Sequence, residues 1–314
     1  MSDRVTLQTI ADAVGVSRTT VSNAYNRPDQ LAPGLRERIF ATAHRLGYSG
    51  PDPAARRLRS GRRDAVGLLL TEGLSHAFTD PAAALLLQGI ARTIEGAGLA
   101  LLLVPDRAGV QDAVVQSLCL YALPDGHPNV AAALERRLPL VVVDEPRLVG
   151  HAYVGIEDRH GARLAAAHLL ALGHRRFALL AGASATQRER LAGYRAALEA
   201  AGARWEEPAS GELADVLVAE ARPTAILAAT DQLALAALEA ARDAGLVVPH
   251  DLSLVGFDDV PGAAWSVPAL TTVRQPLLRK GEIAGQMLTS AAAPGREIVL
   301  PVELVVRGST ARPA

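Results

Sequence analysis

The sequence predicts an α/β protein with three parts: a small all-helical head, a short linker, and a body of two lobes built on parallel sheets. Three observations carry this prediction. Short apolar runs alternate with helical patterns from residue 65 onward, which is the signature of parallel strands covered by helices. The alternation pauses and then begins again near residue 177, as expected of two successive lobes. The charge is split as well. Residues 1–63 hold 11 arginines against 5 acids, a surplus of six, whereas the remainder holds 21 basic and 28 acidic residues. A basic head on an acidic body suits a polyanion-binding module joined to something else. The expected boundaries are a head at 1–49, a linker at 50–63 and a body at 64–314.

In the head, Thr6 is placed to cap a first helix in which Leu7, Ile10, Ala11 and Val14 recur at helical spacing. Gly15 supplies the left-handed residue of a tight turn. Val16 plugs the gap, and Ser17 caps a second helix reaching about Tyr25. Val21 and Ala24 would face the first helix, leaving Arg18, Thr19, Thr20, Ser22 and Asn23 outside. A third helix starts at Pro33, with Leu35, Ile39, Ala43 and Leu46 as its apolar stripe and Gly47 as its end. Two short helices about a Gly turn, with hydrogen-bonding side chains on the outer face of the second, form a helix-turn-helix of the kind that reads base edges.

In the linker, Asp52 and Pro53 can cap and start a short helix containing Ala54, Ala55, Arg56, Arg57 and Leu58. In the body, strands are expected at 65–70, 99–104, 117–123, 140–144 and 153–156, then at 177–181, 225–229, 252–259 and 271–273. Helices are expected from Asp80, from Asp158 to Gly173, at 187–201, from Asp231 to Gly245, and at 276–290. Residues 298–309 form an extended segment broken at Pro301. Residues 105–117 leave little room for a helix. Ala, Leu and Val must fill the core because aromatics are scarce. Carboxylates stand at several strand ends (Asp144, Asp231, Asp258 and Asp259), where ligands of parallel sheets bind. Taken singly each is equally a turn former; together they suggest a polar cleft between the lobes.

Other classes are disfavoured. The start MSDRVTLQTI has no apolar stretch, so no signal peptide and a cytoplasmic location are expected. No run is long enough to span a bilayer, so no membrane partner is expected. The single Cys119 excludes an internal disulfide or a multi-cysteine metal site and reads as a buried thiol. No phosphate loop, nucleophile elbow or metal cluster is present, so neither catalysis nor a cofactor is expected. His160, His168 and His174 are expected at the surface.

The segment VTLQTIADAVGVSRTTVSNAYN resembles the headpiece of the lac repressor (LacI/GalR) family. Thr6, Ile10, Ala11, Gly15, Val16, Ser17, Thr20, Val21, Ser22 and Asn26 fit the family pattern, and Val14 departs from it. LALGHRRFALLAG, RERLAGYRAAL, AILAATDQLALAAL, LVVPHDLSLVGFDDVP and PALTTVRQP are similar to blocks of the family's body. The resemblance implies a headpiece on a periplasmic-binding-protein-like body, acting as a homodimeric transcriptional regulator, a repressor, on a near-palindromic DNA operator. Arg18 and Thr19 would read bases with Asn23 beside them, while Thr6, Ser17, Thr20, Ser22 and Asn26 touch phosphates or set helix ends. Ala55 and Leu58 would lie on one side of a hinge helix. Leu58 would wedge into the minor groove, and Arg56 would track phosphate. Gly50, an apparent extra residue, and Asp52 depart from the family linker. A small effector, a sugar or related polyol, would bind between the lobes through Arg190 and Asp231, with Asp144 and Asp258 as further carboxylates. Phe78 and Trp265 would stack on a ring, or pack in the lobe core and at its rim. A solute-binding protein without DNA contact is the alternative reading, and a sugar-modifying enzyme a more distant one.

Overall fold

The structure, a computed structural model, describes residues 5–48, 50, 64–70, 78–105, 107–124, 126–209, 211–290 and 295–313. The chain divides into two compact units, Met1–Arg63 and Asp64–Ala314.

In the first unit, α1 (Leu7–Val14) begins at Thr6. The Thr6 hydroxyl accepts from the Thr9 amide, and the Thr9 hydroxyl accepts from the Thr6 amide, so two donors of the open helix end are satisfied reciprocally. Gly15 turns the chain at φ 75°, a left-handed value that side chains disfavour. Ser17 caps α2 (Arg18–Asn26) by accepting from the Thr20 amide at 3.0 Å. Pro33 opens α3 (Pro33–Arg45). Ile10, Ala11, Val21, Ala24, Ile39 and Ala43 form the small core, with Tyr25 set edge-on to Phe40. The expected linker helix, with Ala55, Arg56 and Leu58, lies outside the described residues.

Among its described residues the body has two six-stranded sheets. Its strands are β1 (Ala65–Leu70), β2 (Ala100–Val104), β3 (Ser117–Tyr121), β4 (Leu140–Val143), β5 (Ala152–Ile156), β6 (Arg176–Leu180), β7 (Arg204–Glu206), β8 (Ala225–Ala228), β9 (Ser253–Asp258), β10 (Thr271–Arg274), β11 (Glu297–Leu300) and β12 (Glu303–Val305). One sheet runs β11-β5-β4-β3-β1-β2, the other β12-β10-β9-β8-β6-β7. Every pairing is parallel except β10 with β12. The helices are α4 (Pro81–Gly96), α5 (Arg107–Asp112), α6 (Pro128–Glu135), α7 (Asp158–Leu172), α8 (Ala185–Ala200), α9 (Leu213–Val218), α10 (Asp231–Asp243), α11 (Pro261–Trp265) and α12 (Leu277–Thr289). The segment 105–117, with little room for a helix, holds only the six-residue α5.

The lobes are not consecutive halves of the chain. After β10 in the second sheet, α12 returns to the first lobe, where Ile283, Ala284, Met287 and Leu288 join Leu86, Ile90 and Ile94 of α4 in one core with residues of β1, β3, β4 and β5. The next strand, β11, joins the edge of the first sheet. Three residues later β12 joins the edge of the second. The chain therefore passes between lobes at 156–158, 274–277 and 300–303. Each sheet is covered on both faces, which explains its continuous apolar strands. Alanines do much of the filling, as the composition requires: Ala162, Ala165 and Ala166 of α7 press onto Phe177 and Phe257.

The pairing of α4 with α12 is the tightest in the body. A Cβ placed on Gly89 would meet the Leu278 carbonyl oxygen at 2.1 Å, and one on Gly281 would meet the Leu86 oxygen at 2.2 Å. Cys119 is buried in β3, as expected. His174 corrects the surface assignment, being 1% exposed. Its Nε2 lies 2.9 Å from the Ala311 carbonyl and 3.1 Å from the Ser253 hydroxyl, and its Nδ1 lies 2.9 Å from the Thr224 hydroxyl. The C-terminal segment covers it, and burial lowers its pKa.

Candidate functional site

Two surfaces carry the chemistry. On the headpiece, the first turn of α2 exposes Arg18 and Thr19 to solvent. Asn23 follows on the next turn, half-buried. The other predicted residues mostly shape the helices. Thr6 and Ser17 are caps, the Ser17 and Thr20 hydroxyls lie 2.9 Å apart, and the Asn26 amide donates to the Ser22 hydroxyl at 3.2 Å.

In the body, the carboxyl ends of both sheets face one cavity of about 390 Å³. A doubly wound sheet leaves such a crevice where its strand order reverses, here between β1 and β3 and between β6 and β8. The first lobe contributes Leu70 after β1, Tyr121 and Ala122 after β3, and Asp144 after β4. It also contributes Asp80, Ala82 and Ala83 at the start of α4. The second lobe contributes Gly182, Ser184, Thr186, Gln187 and Arg190 around α8, then Thr230, Gln232 and Leu233 around α10, and Asp258 after β9. Gln275, on the passage between lobes, completes the lining.

Arg190 is the centre of the second wall. Its Nε donates to Asp158 at 2.8 Å, and its Nη1 donates to the Ala229 carbonyl at 2.7 Å and to Asp258 at 2.9 Å. The guanidinium lies over the Phe257 ring, 3.8 Å from its centroid. Burial opposes its charge, but Asp258 and Asp158 outweigh burial and raise its pKa. Burial raises the pKa of both carboxylates, with Arg190 opposing the shift. Across the cavity, both oxygens of Asp144 accept from the Lys280 ammonium, at 2.9 and 2.7 Å.

Glu145, beside Asp144, reaches from the first lobe to the second. Its carboxylate accepts from the amides of Ala185 and Thr186, at 3.0 and 3.2 Å, at the positive end of α8. Burial raises its pKa, with those two amides opposing. The contact ties the two walls together beside the residues that line them.

The predicted effector residues divide by position. Asp144, Arg190 and Asp258 meet at the cavity. Asp231 does not line it: its carboxylate turns inward, accepting from the Thr272 hydroxyl at 2.5 Å and the Val260 amide at 2.9 Å, and is fully buried. Burial, followed by the nearby charge of Asp258, pushes its pKa up to about 7. The cavity face at that strand end belongs to its neighbour, Thr230. Phe78 and Trp265 are 69% and 79% exposed and do not line the cavity. Asp259 is drawn away by Arg274 and Arg307. Sequence reasoning missed Thr230, Glu145, Gln275 and Lys280. For Lys280 a signal existed: residues 280, 284 and 287 share one helix face, which places the lysine on the apolar stripe of α12. Among the described residues no cluster of His, Cys, Asp or Glu is arranged to hold a metal, and no helix is long and apolar enough to cross a membrane.

Residues 6–50 match the family model for bacterial regulatory proteins of the lacI family, and residues 166–310 match that for the periplasmic binding protein-like domain. An HTH-type transcriptional regulator of Mycobacterium tuberculosis is 41% identical, covering 99% of this chain and 98% of its own. The HTH-type transcriptional regulator IpsA of Corynebacterium glutamicum is 36% identical, covering 90% of each. Among solved structures, a lac repressor dimer bound to operator and the anti-inducer ONPF is similar at a TM-score of 0.81 and 27% identity, covering 98% of this chain and all of that one. A complex of the transcriptional regulator CelR with cellobiose is similar at a TM-score of 0.72 and 29% identity, with the same coverage.

Proposed function

Because this chain belongs to the lacI family of DNA-binding transcriptional regulators, we propose that it is a repressor whose operator affinity is set by a neutral polyhydroxylated effector, a sugar or polyol, held between the lobes. The observation that carries this reading is the composition of the cavity. Asp80, Asp144 and Asp258 are acceptors for hydroxyl groups, while Ser184, Thr186, Thr230, Gln187 and Gln232 both donate and accept. Leu70, Ala82 and Leu233 suit the C–H faces of a sugar ring. An anionic ligand meets the carboxylates of Asp80, Asp144 and Asp258, and an arginine already engaged by Asp158 and by that same Asp258, so charge argues against it. Tyr121 is the sole aromatic among the described lining residues, which gives a nucleobase one stacking surface. The volume lies within the ordinary range for small-ligand sites. The cellobiose complex of CelR supports the same class of ligand.

The effector and the operator act on one lobe equilibrium, so each changes the other's affinity by the same factor. The protein works as a homodimer, because paired headpieces match paired half-sites. Exposed Trp265 and Val267 offer a partner copy an apolar contact. Arg18 and Thr19 read bases and Asn23 supports them, with Leu58 of the linker wedged in the minor groove, Ala55 on the same side and Arg56 on phosphate.

A thermal-shift screen of the full chain against neutral sugars and polyols, sugar acids and nucleobases tests the effector class. A stabilising hit is expected only in the first group, and it should change gel-shift affinity for the DNA upstream of the protein's own gene. A hit confined to sugar acids or nucleobases defeats this reading. Arg18→Ala is expected to weaken specific binding by about 1–3 kcal/mol and to relax discrimination at one base position. An equal loss on specific and random DNA would instead make Arg18 a phosphate contact.

A further inference from the structure

Lys280 is the only lysine in the chain, and it is 1% exposed. A buried ammonium is costly unless its protons are all used and its charge is paired. Both conditions are met. Nζ donates to Asp144 Oδ1 at 2.9 Å, to Asp144 Oδ2 at 2.7 Å and to Gln275 Oε1 at 2.8 Å. Its backbone is fixed as well, since neighbouring Gly281 is pressed against Leu86 and Gly89 of α4.

The third bond has a consequence for the opposite wall. A glutamine amide has an accepting end and a donating end. With Oε1 held by Lys280, Nε2 points to Asp258, donating to Oδ1 at 2.6 Å. Arg190 donates to that same oxygen. Among the described residues, the hydrogen bonds to the Asp258 side chain therefore converge on Oδ1, and Oδ2 is the oxygen left for a ligand. One ammonium on the first lobe thus orients a carboxylate on each side of the cavity, one directly and one through Gln275.

We infer that Lys280 is a positioning residue of the effector cavity: it fixes both carboxylate oxygens of Asp144 and, by fixing the Gln275 amide, aims Asp258, so that the site selects ligands that donate hydroxyl protons. This rests on the reading of the cavity as an effector site. The other titratable groups that feel Asp144 are Cys119 and Tyr121 on β3, adjacent Glu145, Tyr153 on β5, Asp158 on α7 and Arg190 on α8. None of them replaces the direct contact with the ammonium.

The test uses full-length wild type, Lys280→Met and the double variant Lys280→Met/Asp144→Asn, melted from pH 5 to pH 8.5. Methionine keeps the length of the side chain and removes its charge, leaving Asp144 buried and unpaired. A carboxyl whose folded-state pKa is raised destabilises the fold as pH rises above its unfolded value. The melting gap between wild type and Lys280→Met should therefore widen toward alkaline pH, and the double variant should melt above Lys280→Met at pH 8.5. A gap that stays flat with pH, or a double variant no more stable than the single one, overturns the assignment and leaves Lys280 a packing residue. A second measurement titrates cellobiose and mannitol. Whichever binds wild type should bind Lys280→Met at least about tenfold more weakly, the loss expected when a hydrogen-bonding charged group is disordered. Unchanged affinity also overturns the assignment. If wild type binds neither probe, the polyol reading fails on its own, and the ligand-free melts still decide what Lys280 does to Asp144.

Discussion

Arg190→Met is expected to destabilise the body by about 3–5 kcal/mol, the usual cost of removing one partner from a buried ionic cluster. The side chain satisfies Asp158, Asp258 and the Ala229 carbonyl from one planar fork. Without it, two carboxylates remain in a site where burial already raises their pKa. Their folded-state pKa values would rise further, so the loss should be largest above pH 7. It should shrink as pH falls and the carboxyls take up protons. Arg190→Lys restores one charge but not the fork, and should recover only part of the loss. Urea denaturation at pH 8 and pH 5.5 checks this. Equal destabilisation at both pH values would mean that packing on Phe257, and not the charge cluster, is what Arg190 provides. The response of DNA binding to effector should disappear in the same variant, because Arg190 stands on the cavity wall.

The second large effect concerns shape. Gly89→Ala places a methyl group 2.1 Å from the Leu278 oxygen and 2.8 Å from the Glu282 amide nitrogen, both backbone atoms. Neither can swing aside, so α4 and α12 must separate. The contacts of Leu86 and Ile90 with Ile283 and Met287 loosen together. Overpacking of this kind costs about 1–3 kcal/mol, with the upper end expected where backbone meets backbone. Gly96→Ala, at the end of the same helix, meets nothing within 4 Å and should be neutral or slightly stabilising. Thermal melts of the two variants compare directly. If both behave alike, the close approach is not what holds the pair.

Features encoded locally were legible in the sequence. The caps at Thr6 and Ser17 and the turn at Gly15 are decided within four residues, and the headpiece helices fall where those residues put them. The strands of the body were legible for a different reason: a strand covered on both faces is apolar throughout. The three-residue β7 on a sheet edge has no such run, with only Trp205 turned partly inward. What the sequence hides is direction and distance. Asp231 stands at a strand end like Asp258, but the register of β10 brings Thr272 beneath it and draws its carboxylate inward. Lys280 and Asp144 are separated by 136 positions, and His174 meets a carbonyl 137 positions away. The same alternation of strand and helix is compatible with two consecutive lobes or with interleaved ones. The choice lies in which sheet edge receives β11 and β12, and no local pattern states it.

The interleaving has a consequence for synthesis. When β5 leaves the ribosome, the first lobe has its strands from β1 to β5 but lacks α12, which lies some 120 residues further along and packs on β3, β4 and β5. The second sheet likewise waits for β12. Neither lobe can close while the chain is nascent, and the two are completed by adjacent segments within a few residues of each other. The body is therefore expected to fold late and as one cooperative block, slowly for its size, with both sheet edges open to chaperones or to aggregation until residues 297–305 arrive.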